Sequence, residues 1–343
     1  MERILERSEE ELYQDFLKAW NDATPTVEVQ TSGSTGVPKK IKLKKEYMRR
    51  SARRTVKFFG LTPESRIMSA MSFKYIGGKM MIVRSLETGC KVAMEQPSLE
   101  PLKTIKEDLS LLALVPVQME YILDNLDKLP KVDHYLIGGS ALGDNLRKRI
   151  IDAGINAWES YAMTETASHI AIRRVEYDEE GKVKPFYPLE DVILDKDERD
   201  RLIIRDGDEE ELVTNDIVRF TDDGGFYVLG RADDMIITGG RKILPQTIEE
   251  MLAKYIPYEF AISSLPDSKW GERVTLVLGV TGVEDSTASE IINTVEKAIE
   301  IIPEEELPRW MRPKAIKVVT EFPRNENGKL RRLELKTKIA PVR

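Results

Sequence analysis

Ser32 to Val37 packs two glycines and three hydroxyl side chains into six positions, and Lys39 follows closely. Such a segment lets backbone N–H groups converge on an anion, with the hydroxyls as added donors. Clusters of Gly, Ser and Thr also make plain flexible loops. The spacing is not that of a Walker loop, because Pro38 stands five residues after Gly33, where that motif requires Gly-Lys-Ser/Thr. Directly downstream, ten of the nineteen residues from Lys39 to Lys57 are Lys or Arg against one acid, Glu46. That run reads first as a solvated helix face and second as a positive field for an anionic ligand. Further on, Lys79 and Arg84 interrupt an apolar stretch of Ile, Met and Val. Buried cations need partners, and a carboxylate on a substrate would be one; long cationic side chains also reach solvent from such positions.

The elements that must position these residues follow from the pattern. Ser8 with Glu11 forms a capping box, and Leu12, Phe16 and Trp20 recur four apart on one face of a helix. Val27–Val29 alternates as a short strand. Apolar runs at Lys91–Met94, Leu111–Val117 and Tyr135–Ile137 alternate with helical stretches such as Asp144–Ala153, which predicts βα units and a mainly parallel sheet. Short β-rich pieces between charged turns over 176–215 predict a small antiparallel subdomain. After Gly230–Arg231 a unit of about a hundred residues, α+β in pattern, is large enough for its own core. The predicted units are an N-terminal lobe, 1–232 (α/β to about 188, small β subdomain about 189–230), and a C-terminal lobe, 233–343.

Composition excludes several classes. The 343 residues carry 52 basic and 59 acidic side chains, a net charge of −7, and are 41% hydrophobic. Disorder is thereby excluded, and no apolar run is long enough to span a bilayer or act as a signal peptide. One cysteine, Cys90, and two histidines, His134 and His169, leave no Cys/His zinc site. Nothing interleaves aromatic and basic residues as a nucleic-acid platform would. The expectation is a cytoplasmic enzyme that binds small molecules, with neither nucleic acid nor membrane as partner.

Six segments, in order, resemble the motifs of the adenylate-forming superfamily of acyl-CoA ligases, peptide-synthetase adenylation domains and luciferases. Thr31-Ser-Gly-Ser-Thr-Gly-Val-Pro-Lys39 resembles its phosphate loop, and Leu136-Ile-Gly-Gly-Ser-Ala-Leu142 the turn against which adenine lies. Glu159-Ser-Tyr-Ala-Met-Thr-Glu165 is similar to Tyr-Gly-Met-Thr-Glu, with Ala162 replacing the usual glycine. Thr214-Asn-Asp216 is similar to the ribose-binding Thr-Gly-Asp, with Asn215 substituted. Gly230 to Gly240 resembles the hinge motif, and Pro323 to Lys329 the C-terminal lysine loop.

The resemblance implies ATP, Mg2+ and CoA, and it implies roles. Thr31, Ser32, Gly33, Ser34, Thr35, Gly36 and Lys39 would hold phosphates; Gly139, Ser140, Ser160 and Tyr161 would face adenine. Thr164 would donate to the α-phosphate, Glu165 would hold Mg2+, and Asp216 and Arg231 would bind ribose. Lys329 would reach the reacting carboxylate, Asp233 would be the hinge, and Gly239, Gly240 and Arg241 would line the pantetheine path. Taken singly, most of these side chains would read as surface charges or core aromatics.

Ser72 to Arg84 occupies the place of the family's acyl-pocket wall, with Tyr75 at the usual histidine and Gly78 in the following glycine pair. Leu114-Val-Pro-Val-Gln118 and Met163-Thr-Glu-Thr-Ala-Ser-His169 resemble segments of the o-succinylbenzoate–CoA ligases of menaquinone biosynthesis. For such a dicarboxylic substrate Arg84 is the first choice of partner, Lys79 the second, with Ser168 as a polar neighbour. Relatives have a long region before the phosphate loop where thirty residues stand here, which leaves room for a homodimer to cover exposed surface. A different aryl or acyl acid, a carrier-protein thiol acceptor and a nucleotide-binding module without turnover are the alternative readings.

Overall fold

The computed structural model describes residues 7–30, 39–280, 285–324 and 328–340. Contacts divide the chain into two units: Met1–Ile193 with Arg205–Glu210 and Thr221–Gly225, and Leu194–Ile204 with Glu211–Phe220 and Phe226–Arg343.

The first unit is built on a seven-stranded sheet. Its order is Lys91–Ala93, Arg66–Ser69, Leu111–Leu114, Tyr135–Ile137, Ala157–Ala162, His169–Arg174 and Tyr187–Pro188. The first five strands are mutually parallel and the last two antiparallel. Central strands are buried end to end, as in Leu111–Leu114 and Tyr135–Ile137, which is why they read as unbroken apolar runs. The expected strand Leu111–Val117 stops at Leu114, because Pro116 opens the helix Pro116–Asp124. Ser8 and Glu11 form the capping box of the helix Glu9–Asn21. Thr26–Gln30 pairs antiparallel with Lys40–Lys44.

The basic run forms Lys40–Lys44 and much of the helix Lys45–Phe59, and its charges are largely neutralised by the protein. Buried Arg54 forks onto buried Asp206, Lys45 bonds Asp22 at 2.9 Å, Arg53 bonds Glu87 at 2.7 Å and Lys57 bonds Glu190. The helix keeps a solvated face, on which Arg53 and Lys57 are exposed, but it is not a free positive field, because carboxylates mostly distant in sequence offset its charge.

In the second unit, Arg241–Ile243, Ile236–Thr238, Gly271–Gly279 and Phe260–Asp267 form a sheet, with Ala315–Val319 parallel to Gly271–Gly279. The helices Pro245–Leu252 and Asp285–Glu300 bring Ile248 and Val295 to its buried cluster with Leu276 and Leu278. A four-stranded sheet, Val192–Lys196, Arg201–Asp206, Leu212–Phe220 and Phe226–Arg231, carries antiparallel pairings as expected for the small β region. Among the described residues no helix is long and apolar enough to cross a membrane.

Candidate active site

In the first unit, candidate residues gather at the carboxyl ends of adjacent parallel strands, where open α/β sheets bind ligands. Tyr135–Ile137 runs into Gly138 and Gly139, the latter at φ +87°, a left-handed conformation that favours glycine. A Cβ on Gly138 would stand 2.6 Å from Ser160 Oγ, so the turn and the next strand meet at a distance that only glycine permits. Ser160 Oγ donates to the Ile137 carbonyl at 3.1 Å. Buried Glu159 fastens the turn from below. It accepts from the Leu142 N–H at 3.2 Å, Arg147 at 3.1 Å and Arg173 Nε at 2.8 Å. The Arg173 guanidinium in turn stacks 4.2 Å from the Phe186 ring, whose centroid lies 6.1 Å from that of half-buried Tyr161. The turn, Ser160 and Tyr161 are therefore one connected platform. Glu159 and Arg173 escaped sequence reasoning because their partners lie on separate segments.

The strand Ala157–Ala162 leads into the hairpin that carries Thr164 and Glu165. Ala167 sits at φ +60°. Thr166 Oγ1 braces the bend, accepting from the Met163 N–H at 3.1 Å and lying 2.7 Å from the Ser168 carbonyl. Glu165 is exposed at the tip. Among the described residues there is no group of three or more His, Cys, Asp or Glu that would cage a metal. A lone exposed carboxylate suits Mg2+, which keeps waters and takes its remaining oxygens from phosphates.

The helix Ile76–Thr88 opens after Tyr75, and a Cβ on Gly78 would stand 2.5 Å from the Ser72 carbonyl oxygen. Gly78 thus lets the helix start pack on the backbone before it. Lys79 donates to the Lys74 carbonyl at 3.1 Å, and burial pulls its pKa below the usual lysine value while Glu28 opposes. Arg84 does not reach solvent: it is 2% exposed and donates to Ser168 Oγ at 2.6 Å. The two cations face different surroundings, and no described residue gives Arg84 a carboxylate.

The phosphate-loop candidates Thr31, Ser32, Gly33, Ser34, Thr35 and Gly36 lie outside the described residues; Lys39, which follows, is exposed.

In the second unit, Asp216 is buried, with its N–H on Thr214 Oγ1 at 3.0 Å and Arg231 on its carboxylate at 3.1 Å. Asp233, in the turn Ala232–Asp234, accepts from Asn215 at 3.0 Å and Arg231 at 3.3 Å. Lys329 belongs to the same electrostatic cluster. Burial lowers its pKa from the ordinary 10.5, Arg231 and Arg332 lower it further, and Asp216 and Asp234 oppose. Arg332 was not foreseen; it forks onto Glu249 at 2.9 and 2.6 Å. Gly239 and Gly240, at φ +56° and +76°, make the tight turn between Ile236–Thr238 and Arg241–Ile243. Arg241 stacks 4.7 Å from the Trp310 ring.

The AMP-binding enzyme family matches residues 8–213, and the C-terminal domain of AMP-binding enzymes matches residues 247–329. The chain belongs to the AMP-binding enzyme family. Its curated relatives include the 2-succinylbenzoate–CoA ligase of Bacillus cytotoxicus, 26% identical over 90% of this chain and 69% of the relative. That of Listeria monocytogenes is 28% identical over 94% and 72%. Among solved structures, an acyl-CoA synthetase (AMP-forming)/AMP-acid ligase II-like protein from Dyadobacter fermentans is 27% identical. It covers 95% of this chain and 93% of its own at a TM-score of 0.60. The O-succinylbenzoate coenzyme A synthetase of Bacillus subtilis, solved with ATP and magnesium ion, shares the fold at a TM-score of 0.71. It is 22% identical over 90% of this chain and 69% of that one. The mixed α/β architecture of this AMP-binding enzyme is therefore the adenylate-forming fold, in a chain that spans about two thirds of those ligases.

Proposed function

We propose that the protein is an AMP-forming acid–CoA ligase that adenylates 2-succinylbenzoate and transfers the acyl group to CoA, giving 2-succinylbenzoyl-CoA for menaquinone biosynthesis. The observation that carries the choice of acid is Arg84, a cation buried beside the Thr164–Ser168 hairpin with no carboxylate partner among the described residues. 2-Succinylbenzoate has two carboxylates. One is activated, and the other supplies the anion that Arg84 lacks, with Ser168 alongside and Lys79, Tyr75 and Gly78 at the start of the same helix. The names of the curated relatives support the same acid.

Activation joins a carboxylate oxygen to the α-phosphorus of ATP and expels pyrophosphate; the CoA thiol then displaces AMP at the acyl carbon. The acid is already ionised at neutral pH and needs no general base. Catalysis reduces to alignment and charge neutralisation, which a protein poor in His and Cys can supply. In the first unit, Gly139, Ser140, Ser160 and Tyr161 would receive adenine, Thr164 the α-phosphate, and Thr31 to Gly36 with Lys39 the outer phosphates. Glu165 would hold Mg2+, which offsets phosphate charge. In the second unit, Asp216 and Arg231 would take ribose and Lys329 the reacting oxygens. Gly239, Gly240 and Arg241 would border the thiol's path, and Asp233 would be the hinge between lobes 1–232 and 233–343. A cytoplasmic location, where ATP and CoA are at hand, is part of the same reading.

The test is pyrophosphate release over a panel of aromatic and dicarboxylic acids, with and without CoA. 2-Succinylbenzoate should give the highest turnover, and a better monocarboxylic substrate would overturn the choice of acid. Lys329→Ala should abolish ATP–pyrophosphate exchange while ATP still binds. Unchanged exchange would remove Lys329 from the mechanism.

A further inference from the structure

A line of buried hydrogen bonds links the helix Lys45–Phe59, the Thr164–Ser168 hairpin and the helix Ile76–Thr88. Thr55 Oγ1 donates to the Ser51 carbonyl at 3.3 Å and lies 3.1 Å from His169 Nε2. His169 Nδ1 lies 3.2 Å from Ser168 Oγ, which accepts from Arg84 at 2.6 Å. Thr55, Arg84, His169 and Ser168 are all buried.

Arginine only donates, so Ser168 Oγ receives Arg84 with a lone pair. With the Thr55 hydrogen on the Ser51 carbonyl, the His169 tautomer protonated on Nε2 gives each hydroxyl hydrogen of the line an acceptor, with Nε2–H meeting Thr55 Oγ1 and Ser168 donating to Nδ1. Burial, then the charge of Arg84, drive the His169 pKa well below its ordinary 6.5 and keep the imidazole neutral.

The line ends on a guanidinium whose other groups are poorly served. Arg84 Nη1 meets the Met81 sulfur at 3.0 Å, and Nε has no hydrogen-bond partner. Burial lowers Arg84 to about 9, which leaves it charged at neutral pH. A buried cation without a counter-ion is destabilising when it serves only to fill space. A carboxylate brought to it gains charge-assisted hydrogen bonds, most strongly when the guanidinium is already oriented.

We propose that His169, acting through Ser168, is a positioning residue that orients Arg84 toward the second carboxylate of the acid substrate. The proposal rests on the reading of Arg84 given above. Neither His169 nor Ser168 need touch the carboxylate for this; their part is to hold one face of the guanidinium so that the remaining donors point one way.

The test compares kcat/KM for 2-succinylbenzoate with that for 4-oxo-4-phenylbutanoate, which lacks only the ring carboxylate. Arg84→Ala should lower the preference for the dicarboxylate about tenfold or more. His169→Leu and Ser168→Ala should each lower it in the same direction, by raising KM for 2-succinylbenzoate while KM for ATP stays within about twofold. His169→Gln, whose amide pairs an acceptor oxygen with a donor nitrogen much as the neutral imidazole pairs its two nitrogens, should restore most of the preference. A wild-type enzyme that does not discriminate between the acids overturns the reading of Arg84, and this proposal with it. Loss of preference in Arg84→Ala but full preference in both His169→Leu and Ser168→Ala overturns the positioning role alone. Where His169→Leu is too unstable to assay, Ser168→Ala decides on the same ratio.

Discussion

Lys329 carries its charge against its surroundings, and that has a kinetic consequence. The ammonium is the form that would neutralise the reacting oxygens. Burial, Arg231 and Arg332 pull its pKa below 10.5, more strongly than Asp216 and Asp234 restore it. The charge is therefore lost at a lower pH than in an ordinary lysine. The alkaline limb of kcat/KM for ATP–pyrophosphate exchange, which reports groups of the free enzyme, should have its midpoint below 10.5. A limb at or above that value would show that Lys329 is not the titrating group. The same shift costs folding stability in full below the lowered pKa and not at all above 10.5. Lys329 itself was legible in the sequence because glycine and neighbouring residues mark its loop. Asp216 and Arg231 were legible through their own motifs, but the pull of Asp234 and Arg332 on Lys329 was not, since neither residue carries a motif role.

At the scale of the element, the helix Lys45–Phe59 shows what a charge run conceals. That the run lies on a helix face was readable, but the fate of each cation depended on acids elsewhere. Arg54 finds Asp206, 152 residues away, in a pair that is almost wholly buried, whereas Lys57 and Glu190 form an exposed pair. These two contacts should respond differently. Asp206→Ala leaves a buried guanidinium unpaired and should cost about 3–5 kcal/mol in urea unfolding. Lys57→Ala should cost less than about 1 kcal/mol. Equal small losses would mean that Arg54 is reached by water. The glycine turns, by contrast, were legible because their constraint is local. Gly139, Gly239 and Gly240 adopt positive φ values that few other residues tolerate.

At the scale of the molecule, the ordered motifs disclosed the adenylate-forming fold, since each is a local backbone signature and their order along the chain is itself information. Pairings across the chain were beyond such reading, and so was the identity of the separate cores. Leu112 and Ile137 belong to one buried cluster and Ile248 and Leu276 to another, and the clusters fall in different contact units. Two cores of this kind need not melt together. Calorimetry should resolve two transitions, with Leu112→Ala lowering one and Leu276→Ala the other, each truncation costing about 2–5 kcal/mol. Both variants shifting a single shared transition would show that the cores fold as one. Adenylation as proposed draws on Tyr161 and Thr164 from the first unit and on Asp216, Arg231 and Lys329 from the second. Activity should therefore disappear with whichever transition comes first, and each variant should lower the inactivation temperature only when it destabilises that weaker core.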